Sequence, residues 1–311
     1  MLHKNIIDTI GNTPLVEMPN LSPKPGVRIF AKLEGQNPTG SMKDRIAKYM
    51  IEQAEASGKL TKDKIVLEPT SGNTGISLAL ICLVKGYKLK VVMPGNVSDE
   101  RKQLLEMYGA EVVLTGESNN TNDAIATALR MAEEDSGYFM PYQYGNSANP
   151  LAHYETTGVE IIRDLPDVDL FVAGLGTAGT LMGVGRRLKE HNPNVKIIAV
   201  VPHPGDFVAG LRSLEEGFIP PILDDTMLDG KVMVTSEDSF IATKELLKRE
   251  GIFAGISAGG VIHCAVMMAQ RMEQGNIVAL LADGGWKYLS TALWSKEHPE
   301  EQEGLLTRIW W

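Results

Sequence analysis

The stretch Leu170-Phe171-Val172-Ala173-Gly174-Leu175-Gly176-Thr177-Ala178-Gly179-Thr180 joins an apolar run to a glycine-rich loop. The apolar run predicts a buried strand, and Leu181-Met182-Gly183 after the loop predicts a helix. Glycines let the backbone turn tightly with its N–H groups pointing inward, and a helix N-terminus favours an anion. The segment therefore predicts a phosphate-binding strand–loop–helix unit, to which the hydroxyls of Thr177 and Thr180 add donors.

The same alternation of strand and helix continues on both sides of this segment and predicts an α/β fold with mostly parallel sheets. Strands are predicted over 65–67, 89–93, 111–114, 170–173, 196–201 and 277–281. Helices are predicted over 74–85, 98–108, 121–135, 178–190, 238–250 and 258–273. A polar segment, Gln143 to Pro150, interrupts the alternation, so we expect two open twisted sheets in two domains with a cleft at their junction.

The loop also fits the dinucleotide-binding pattern G-x-G-x-x-G, which requires a carboxylate at the end of the next strand. That strand, Lys196 to Val201, ends instead in Pro202-His203-Pro204. The phosphate of another cofactor therefore fits better than a dinucleotide. A purely structural tight turn remains an alternative for this loop.

Three further loops carry candidate chemistry. Lys43 lies in Asn37-Pro38-Thr39-Gly40-Ser41-Met42-Lys43-Asp44-Arg45, and a lysine forms a Schiff base only as the neutral amine, which partial burial or a nearby cation such as Arg45 would favour. Thr70-Ser71-Gly72-Asn73-Thr74 follows a strand and opens a helix, where a carboxylate would bind. Gly255 to Gly260 opens another helix. The alternative interpretation is that Thr70 or Ser71, and likewise Ser257, only cap their helices.

Composition excludes several classes of protein. The chain has 311 residues, with 30 Lys and Arg against 39 Asp and Glu, and no basic run interleaved with aromatic residues, which disfavours nucleic-acid binding. Neither a membrane-spanning stretch nor a signal pattern is found, so we expect a soluble, cytoplasmic protein. Cys82 and Cys264 lie in apolar runs and are expected to be reduced core thiols, and no metal-ligand spacing occurs.

From Ile10-Gly11-Asn12-Thr13-Pro14-Leu15-Val16 to Trp286-Lys287-Tyr288-Leu289-Ser290-Thr291, the chain resembles the cysteine synthases among the fold-type-II pyridoxal-phosphate enzymes. The resemblance implies a fold like that of the tryptophan synthase β-subunit, with the active site between domains. It implies a smaller domain, 35–146 with 1–12, and a larger cofactor-phosphate-binding domain, 13–34 with 147–311. It also implies a homodimer.

The resemblance assigns roles to individual residues. Lys43 would hold pyridoxal 5'-phosphate as a Schiff base and later move the α-proton of the substrate, and Asn73 would bind the ring oxygen of the cofactor. Ser257 would meet the pyridine nitrogen. The cofactor phosphate would be held by Gly176, Thr177, Ala178, Gly179 and Thr180. The carboxylate of the amino-acid substrate would be bound by Thr70, Ser71, Thr74 and Gln143.

The reaction implied is a β-replacement in which an O-activated serine loses its leaving group and a sulfur nucleophile adds to give L-cysteine. Ser257, unlike a carboxylate, does not keep the pyridine nitrogen protonated, which favours β-elimination over transamination. Asp283-Gly284-Gly285-Trp286-Lys287-Tyr288 resembles the cysteine synthase B branch. There, an arginine at the place of Arg212 faces the leaving group, and its guanidinium suits a phosphate better than an acetyl ester.

Several alternatives remain open at this point. O-acetylserine is the close competitor of O-phosphoserine, and the sulfur donor could be sulfide, thiosulfate or a thiocarboxylated carrier protein. Arg212 could instead be a surface residue. A cystathionine β-synthase-like enzyme is the runner-up, and a catalytically silent, protein-binding paralogue is the alternative from another class. The charged segment 296–304 leads to Ile309-Trp310-Trp311, which is apolar enough to dock on the protein.

Overall fold

The structure is a computed structural model that describes residues 2–70, 72–95, 99–115 and 121–289. The described chain forms two compact units. The first unit contains the described residues of Met1–Ile10 and Asn37–Ala152, and the second contains Gly11–Gln36 and the described residues of His153–Trp311. The predicted division into independent domains, 1–12 with 35–146 and 13–34 with 147–311, stays a prediction.

The chain alternates strands with helices. The strands are β1 Leu15–Glu17, β2 Val27–Leu33, β3 Ile65–Pro69, β4 Lys88–Pro94, β5 Glu111–Thr115, β6 Tyr138–Phe139, β7 Leu170–Gly174, β8 Lys196–Pro202, β9 Gly230–Val234 and β10 Gly275–Leu281. The helices are α1 Lys43–Ala56, α2 Asn73–Lys85, α3 Asp99–Met107, α4 Thr121–Glu134, α5 Ala148–Ala152, α6 Gly158–Asp164, α7 Gly179–His191, α8 Ser236–Glu250 and α9 Ile256–Arg271. A π-helical turn, His153–Thr157, precedes α6.

The first unit is built on a four-stranded parallel sheet in the order β5-β4-β3-β6. The central strands β3 and β4 are mostly apolar and mostly buried, as expected for strands covered on both faces, although β3 contains Glu68 and β4 contains Lys90. Val66 and Val91 pack in a core with Ile76 and Ile81 of α2. The carboxyl end of β3 therefore lies at the same end of the sheet as the carboxyl ends of the other parallel strands, and the chain continues from it to α2.

The second unit is built on a six-stranded sheet in the order β1-β2-β10-β7-β8-β9. Only the pairing of β1 with β2 is antiparallel. Helix α9 covers this sheet and packs closely on α8, since a Cβ on Gly259 would overlap the carbonyl oxygen of Ser239. A capping box formed by Thr235 and Asp238 starts α8, and Gly251 ends it in a left-handed conformation.

Every strand and helix predicted from the apolar runs is present, and no end differs from its predicted position by more than two residues. The predicted fold class, α/β with two mostly parallel sheets, is confirmed. The sequence patterns missed β2 and β9, whose apolar residues alternate with charged or exposed ones. They also missed the short strands β1 and β6 and the helices α5 and α6. Helix α1, which begins at Lys43 itself, was missed as well.

Both cysteines lie inside helices, Cys82 in α2 and Cys264 in α9, and both are buried free thiols. Burial raises the pKa of each thiol to about 12. In the described part of the chain no helix is long and apolar enough to cross a membrane. The described residues also hold no group of His, Cys, Asp and Glu that could bind a metal ion.

Candidate active site

Lys43 is the first residue of α1 and is half-buried. It follows the loop 37–41, which turns tightly at Gly40, where φ is 79°. Asp44, fully buried in the first turn of the helix, accepts the backbone N–H of Thr39 at 2.7 Å and also contacts the Thr39 hydroxyl. Asp44 thus ties the loop to the start of the helix, which fixes the backbone on both sides of Lys43.

The lysine loop is linked to the start of α2. The Thr39 hydroxyl lies 3.2 Å from Oγ of Ser77, which comes one turn after Asn73. Asn73 is half-buried and is the first residue of α2. Arg45, the cation expected near Lys43, is also in α1 and is buried. The first unit therefore brings the loop that carries Lys43 together with the helix that begins at Asn73.

Helix α2 starts without help from Thr70. Its N-cap residue is Gly72, and the Thr70 hydroxyl only accepts the N–H of Gly72, at 3.4 Å, outside the helix. The interpretation that Thr70 caps this helix is therefore wrong. Thr70 and Thr74 are both buried, and Ser71 lies outside the described residues.

Thr74 and Gln143, 69 residues apart in the chain, meet in the first unit. The Thr74 hydroxyl donates to Oε1 of Gln143 at 2.7 Å, and both side chains are buried. The backbone of Gln143 is held by Glu68, whose Oε1 accepts its N–H at 3.0 Å. Sequence reasoning did not single out Glu68, although a charged residue inside an apolar strand was an available signal.

In the second unit, the glycine loop connects β7 to α7 as predicted. Ala178 precedes the helix with a φ of 72°, a left-handed conformation that is uncommon for a residue with a side chain. A Cβ on Gly176 would lie 3.4 Å from the carbonyl oxygen of Gly210. The loop thus packs against Gly210 and leads directly into α7, whose first turn is buried.

The two threonines of this loop are buried. Oγ1 of Thr177 accepts the N–H of Gly179 at 3.5 Å, and Oγ1 of Thr180 lies 3.2 Å from Nε2 of His153. His153 is fully buried in the π-helical turn, and its Nδ1 lies 3.0 Å from Oγ1 of Thr157. Such π-helical turns are frequent at functional sites. Sequence reasoning missed His153, because no local pattern links it to Thr180.

Ser257 lies in the first turn of α9, two residues after the N-cap Gly255. The interpretation that Ser257 only caps this helix is therefore wrong, since the cap is a glycine without a side chain. Gly210 lies against Ser257: its φ is 94°, and a Cβ there would be 3.2 Å from Oγ of Ser257. Because Gly210 also adjoins Gly176, the glycine loop and Ser257 face the same short segment of backbone.

Arg212 follows this segment. Its backbone N–H donates to the carbonyl oxygen of Leu175 at 2.7 Å, which joins it to the glycine loop. Its side chain is half-buried, and the guanidinium carbon lies 5.0 Å from the centre of the Phe218 ring. Arg212 is therefore anchored beside the loop, with a planar cation stacked on an aromatic ring.

The second unit thus supplies what a phosphate-bearing cofactor requires. The loop packs against Gly210, two threonine residues are buried in it, and helix α7 begins at its end with N-terminal N–H groups that favour an anion. A buried serine hydroxyl lies against the same segment. The residues present therefore fit a group that carries both a phosphate and a ring nitrogen. The roles of the individual residues stay predictions.

Comparison with known proteins agrees with this geometry. The family model described as "pyridoxal-phosphate dependent enzyme" matches residues 6–283. A cysteine synthase of Staphylococcus aureus is 43% identical over 301 residues, which cover 94% of this chain and 97% of the relative. Cysteine synthase B of Salmonella typhimurium is 40% identical over 298 residues, which cover 96% and 98%.

The solved structure of a cysteine synthase from Entamoeba histolytica superposes on the chain with a TM-score of 0.92. It is 34% identical to this chain, and the match covers 99% of this chain and 97% of that structure. Family, relatives and fold agree over nearly the entire length. The chain therefore belongs to the pyridoxal-phosphate-dependent enzymes and, within them, to the cysteine synthase family.

Proposed function

We propose that this enzyme makes L-cysteine by pyridoxal-phosphate-dependent β-replacement and that it prefers O-phosphoserine over O-acetylserine as its amino-acid substrate. The observation that carries the activity is the near-complete match to cysteine synthases, 43% identical over 97% of one of them. The observation that supports the substrate preference is Arg212, anchored beside the glycine loop.

When bound, pyridoxal phosphate supplies an electron sink that stabilises negative charge at the α-carbon of an attached amino acid. Lys43 would hold the cofactor covalently, and its Nζ, once displaced from the cofactor by the amino group of the substrate, would take the α-proton. The tie between Asp44 and Thr39 keeps the backbone of Lys43 in one place throughout. Asn73, at the start of α2, would donate its side-chain amide to the ring oxygen of the cofactor.

The cofactor phosphate would be held by the loop from Gly176 to Thr180 and by the N–H groups at the start of α7. The position of Thr177 and Thr180 in this loop supports the role, because each carries a hydroxyl that would donate to a phosphate oxygen. Ser257 would contact the pyridine nitrogen. As a neutral hydroxyl it leaves this nitrogen unprotonated, which favours loss of a β-leaving group over transamination.

The carboxylate of the substrate would be bound by Thr70, Ser71, Thr74 and Gln143. The bond between Thr74 and Gln143 supports this assignment, since it brings two of these side chains into contact. The positive end of α2 adds a favourable field for an anion. In this arrangement the carboxylate is held at a fixed distance from Lys43, which orients the α-proton for transfer.

Arg212 would face the leaving group. A guanidinium offers a planar pair of donors that matches a phosphate dianion, whereas an acetyl ester presents only a neutral carbonyl. Stacking on Phe218 restricts the side chain, so that less conformational entropy is lost when a phosphate binds. Arg212 thus provides selectivity through a charge that O-acetylserine cannot match.

The decisive experiment compares kcat/KM for the two activated serines in wild type, Arg212→Ala and Arg212→Lys, with sulfide as the second substrate. We expect Arg212→Ala to lower kcat/KM for O-phosphoserine by roughly 10- to 100-fold, corresponding to the loss of a charge-assisted hydrogen-bond pair, and to leave O-acetylserine nearly unchanged. Arg212→Lys should recover part of the loss. Equal effects on both substrates would overturn the preference for O-phosphoserine.

The activity itself is tested by product analysis of the cofactor-loaded protein. Formation of cysteine from sulfide supports the proposal, and faster formation of cystathionine from homocysteine would favour the cystathionine β-synthase-like alternative. Borohydride reduction should attach the cofactor to the peptide that contains Lys43. A protein that binds no cofactor would instead fit the silent, protein-binding paralogue.

The setting of the enzyme is also part of the proposal. We place it in the cytoplasm, as expected from the sequence, and we propose a homodimer because the resemblance to the cysteine synthases implies one. The sulfur donor is sulfide, thiosulfate or a thiocarboxylated carrier protein. Trp310 and Trp311, predicted to dock on the protein, lie outside the described residues.

A further inference from the structure

Glu68 is a buried carboxylate that the proposed mechanism leaves without a role. It lies in β3 between Leu67 and Pro69, with no solvent exposure. Its neighbours on the strand are apolar or buried. Carboxylates at such positions are rare unless their oxygens are hydrogen-bonded, because removing the group from water is costly.

The partners of Glu68 are two consecutive backbone N–H groups. Its Oε2 accepts the N–H of Tyr142 at 2.8 Å, and its Oε1 accepts the N–H of Gln143 at 3.0 Å. The ladder that pairs β3 with β6 includes Val66 and Phe139 and then ends. Past the end of this ladder, the Glu68 carboxylate therefore accepts the N–H groups of Tyr142 and Gln143, which follow β6 in the chain.

This contact fixes a backbone that would otherwise be unfavourable. Tyr142 has a φ of 53°, in the left-handed region, which is costly for a residue with a side chain. The next residue, Gln143, is held from a second direction, because its carbonyl oxygen accepts a hydrogen bond from the side-chain amide of Asn149 at 2.8 Å. Gln143 is thus held through both of its backbone polar groups, while its side chain reaches Thr74.

We propose that Glu68 is a positioning residue for the substrate-carboxylate site: by holding the N–H groups of Tyr142 and Gln143, it places the Gln143 side chain where the Thr74 hydroxyl fixes its Oε1 and its Nε2 donates to the carboxylate. The inference rests on the proposed function, because it takes Thr74 and Gln143 as the carboxylate-binding pair. Glu68 binds the backbone N–H groups of Tyr142 and Gln143, and its effect passes through Gln143.

The test uses Glu68→Gln in the cofactor-loaded enzyme. The amide keeps one oxygen acceptor but turns an NH2 donor towards the second backbone N–H, so one of the two bonds is lost. We expect affinity for L-serine, followed by the cofactor absorbance, to fall about tenfold or more, since small misplacements at an active site have large effects. Affinity for L-serine methyl ester, which lacks the carboxylate, should change less than twofold.

A steady-state readout separates positioning from a general loss of structure. In a two-stage β-replacement, kcat/KM for the activated serine and for the sulfur donor report separate half-reactions. Glu68→Gln should lower the first about tenfold and leave the second within about twofold. Equal losses in both, or no loss in either, would overturn the proposal.

Two further variants keep the test decisive. Glu55→Gln is the matched control: Glu55 is a half-buried carboxylate of the same unit that accepts from Lys85 and Tyr87 at 2.7 and 2.9 Å, far along α1 from Lys43. It should leave the acid-to-ester ratio unchanged. If Glu68→Gln does not fold, Glu68→Asp, with a shorter reach to the same two N–H groups, should give the same selective loss, and an unchanged ratio there would refute the inference.

These outcomes are distinguishable from failure of the proposed function. Binding of L-serine and of its ester requires only the loaded cofactor and the carboxylate site, whereas cysteine formation requires the entire reaction. A wild-type enzyme that binds L-serine but makes no cysteine would contradict the proposed function alone. A normal wild type with an unaffected Glu68→Gln variant would contradict the role of Glu68 alone.

Discussion

The buried ion pair of the second unit allows a prediction with a magnitude. Nζ of Lys32 in β2 lies 2.7 Å from Oε2 of Glu160 in α6 and 2.6 Å from the carbonyl oxygen of Thr13. The Lys32 side chain has no exposure, and that of Glu160 is 7% exposed. The other carboxylate oxygen accepts the N–H of Asn12 at 2.9 Å. Every charged atom of the pair therefore has a hydrogen-bond partner. Water screens the attraction between the two charges very little, because both side chains are buried.

Lys32→Met fills much of the same space but leaves the Glu160 carboxylate buried without the ammonium group that balances its charge. Breaking a buried pair in this way typically costs about 3–5 kcal/mol, because the surviving charge is uncompensated. In urea-induced unfolding followed by circular dichroism, this corresponds to a midpoint lowered by roughly 1 M. The double variant Lys32→Met with Glu160→Leu removes both charges and should recover most of the loss.

A control lies on the same strand. Arg28 pairs with Glu17 at 2.6 Å, but both side chains are substantially exposed, so Arg28→Met should lower the urea midpoint far less than Lys32→Met does. If Lys32→Met costs as little as Arg28→Met, the burial argument is refuted. If the double variant is as unstable as the single one, the loss comes from packing rather than from an unpaired charge.

Two other predictions concern Ser257 and Glu68. Gly210→Ala adds a Cβ 3.2 Å from Oγ of Ser257 at a φ of 94°, so we expect cofactor affinity, titrated by absorbance, to fall about tenfold. The control Gly205→Ala has a similar φ of 79° but open space around it, so it should lower stability and leave cofactor affinity unchanged. Equal cofactor affinities in the two variants would contradict the steric argument. Burial raises the pKa of Glu68 to about 7, above its unfolded value near 4.5, so the native state binds more protons between these values and this group destabilises the fold as pH rises from 4.5 to 7. Between pH 4.5 and pH 8, the free energy of unfolding of the wild type, measured in urea, should therefore fall by up to about 3 kcal/mol relative to that of Glu68→Gln. If the difference in unfolding free energy between the two proteins does not change with pH, the raised pKa of Glu68 is refuted.

The fold was largely readable from the sequence because its central strands are continuous apolar runs. The segments around Val66, Val91 and Val172 are buried on both faces, so no alternation was needed to recognise them. Strand β2 was missed for the opposite reason: two charged residues, Arg28 and Lys32, interrupt its apolar run. Arg28 is exposed but Lys32 is buried, so the charged positions do not mark one solvent-facing side of the strand. The partner that makes Lys32 tolerable is 128 residues away, and no local pattern announces it.

The candidate site divides in the same way. The loops around Lys43, Thr70 and Gly176 were predicted because glycines and small hydroxyl residues follow or precede regular elements. The supports of these loops were not: Glu68 lies 75 residues from Gln143, and His153 lies 27 residues from Thr180. Local sequence patterns identify groups that can bind a ligand, whereas the groups that orient them are specified only by tertiary contacts.

The burial of the two cysteines bears on the chemistry of sulfur handling. With a pKa of about 12, each thiol is ionised to only about one part in 10⁵ at neutral pH, and the thiolate is the form that exchanges with disulfides. An enzyme that releases free cysteine works among oxidised sulfur compounds able to form mixed disulfides with accessible thiols. Because Cys82 and Cys264 are both buried, a disulfide formed by oxidation of the product finds no accessible thiolate on these two residues with which to exchange.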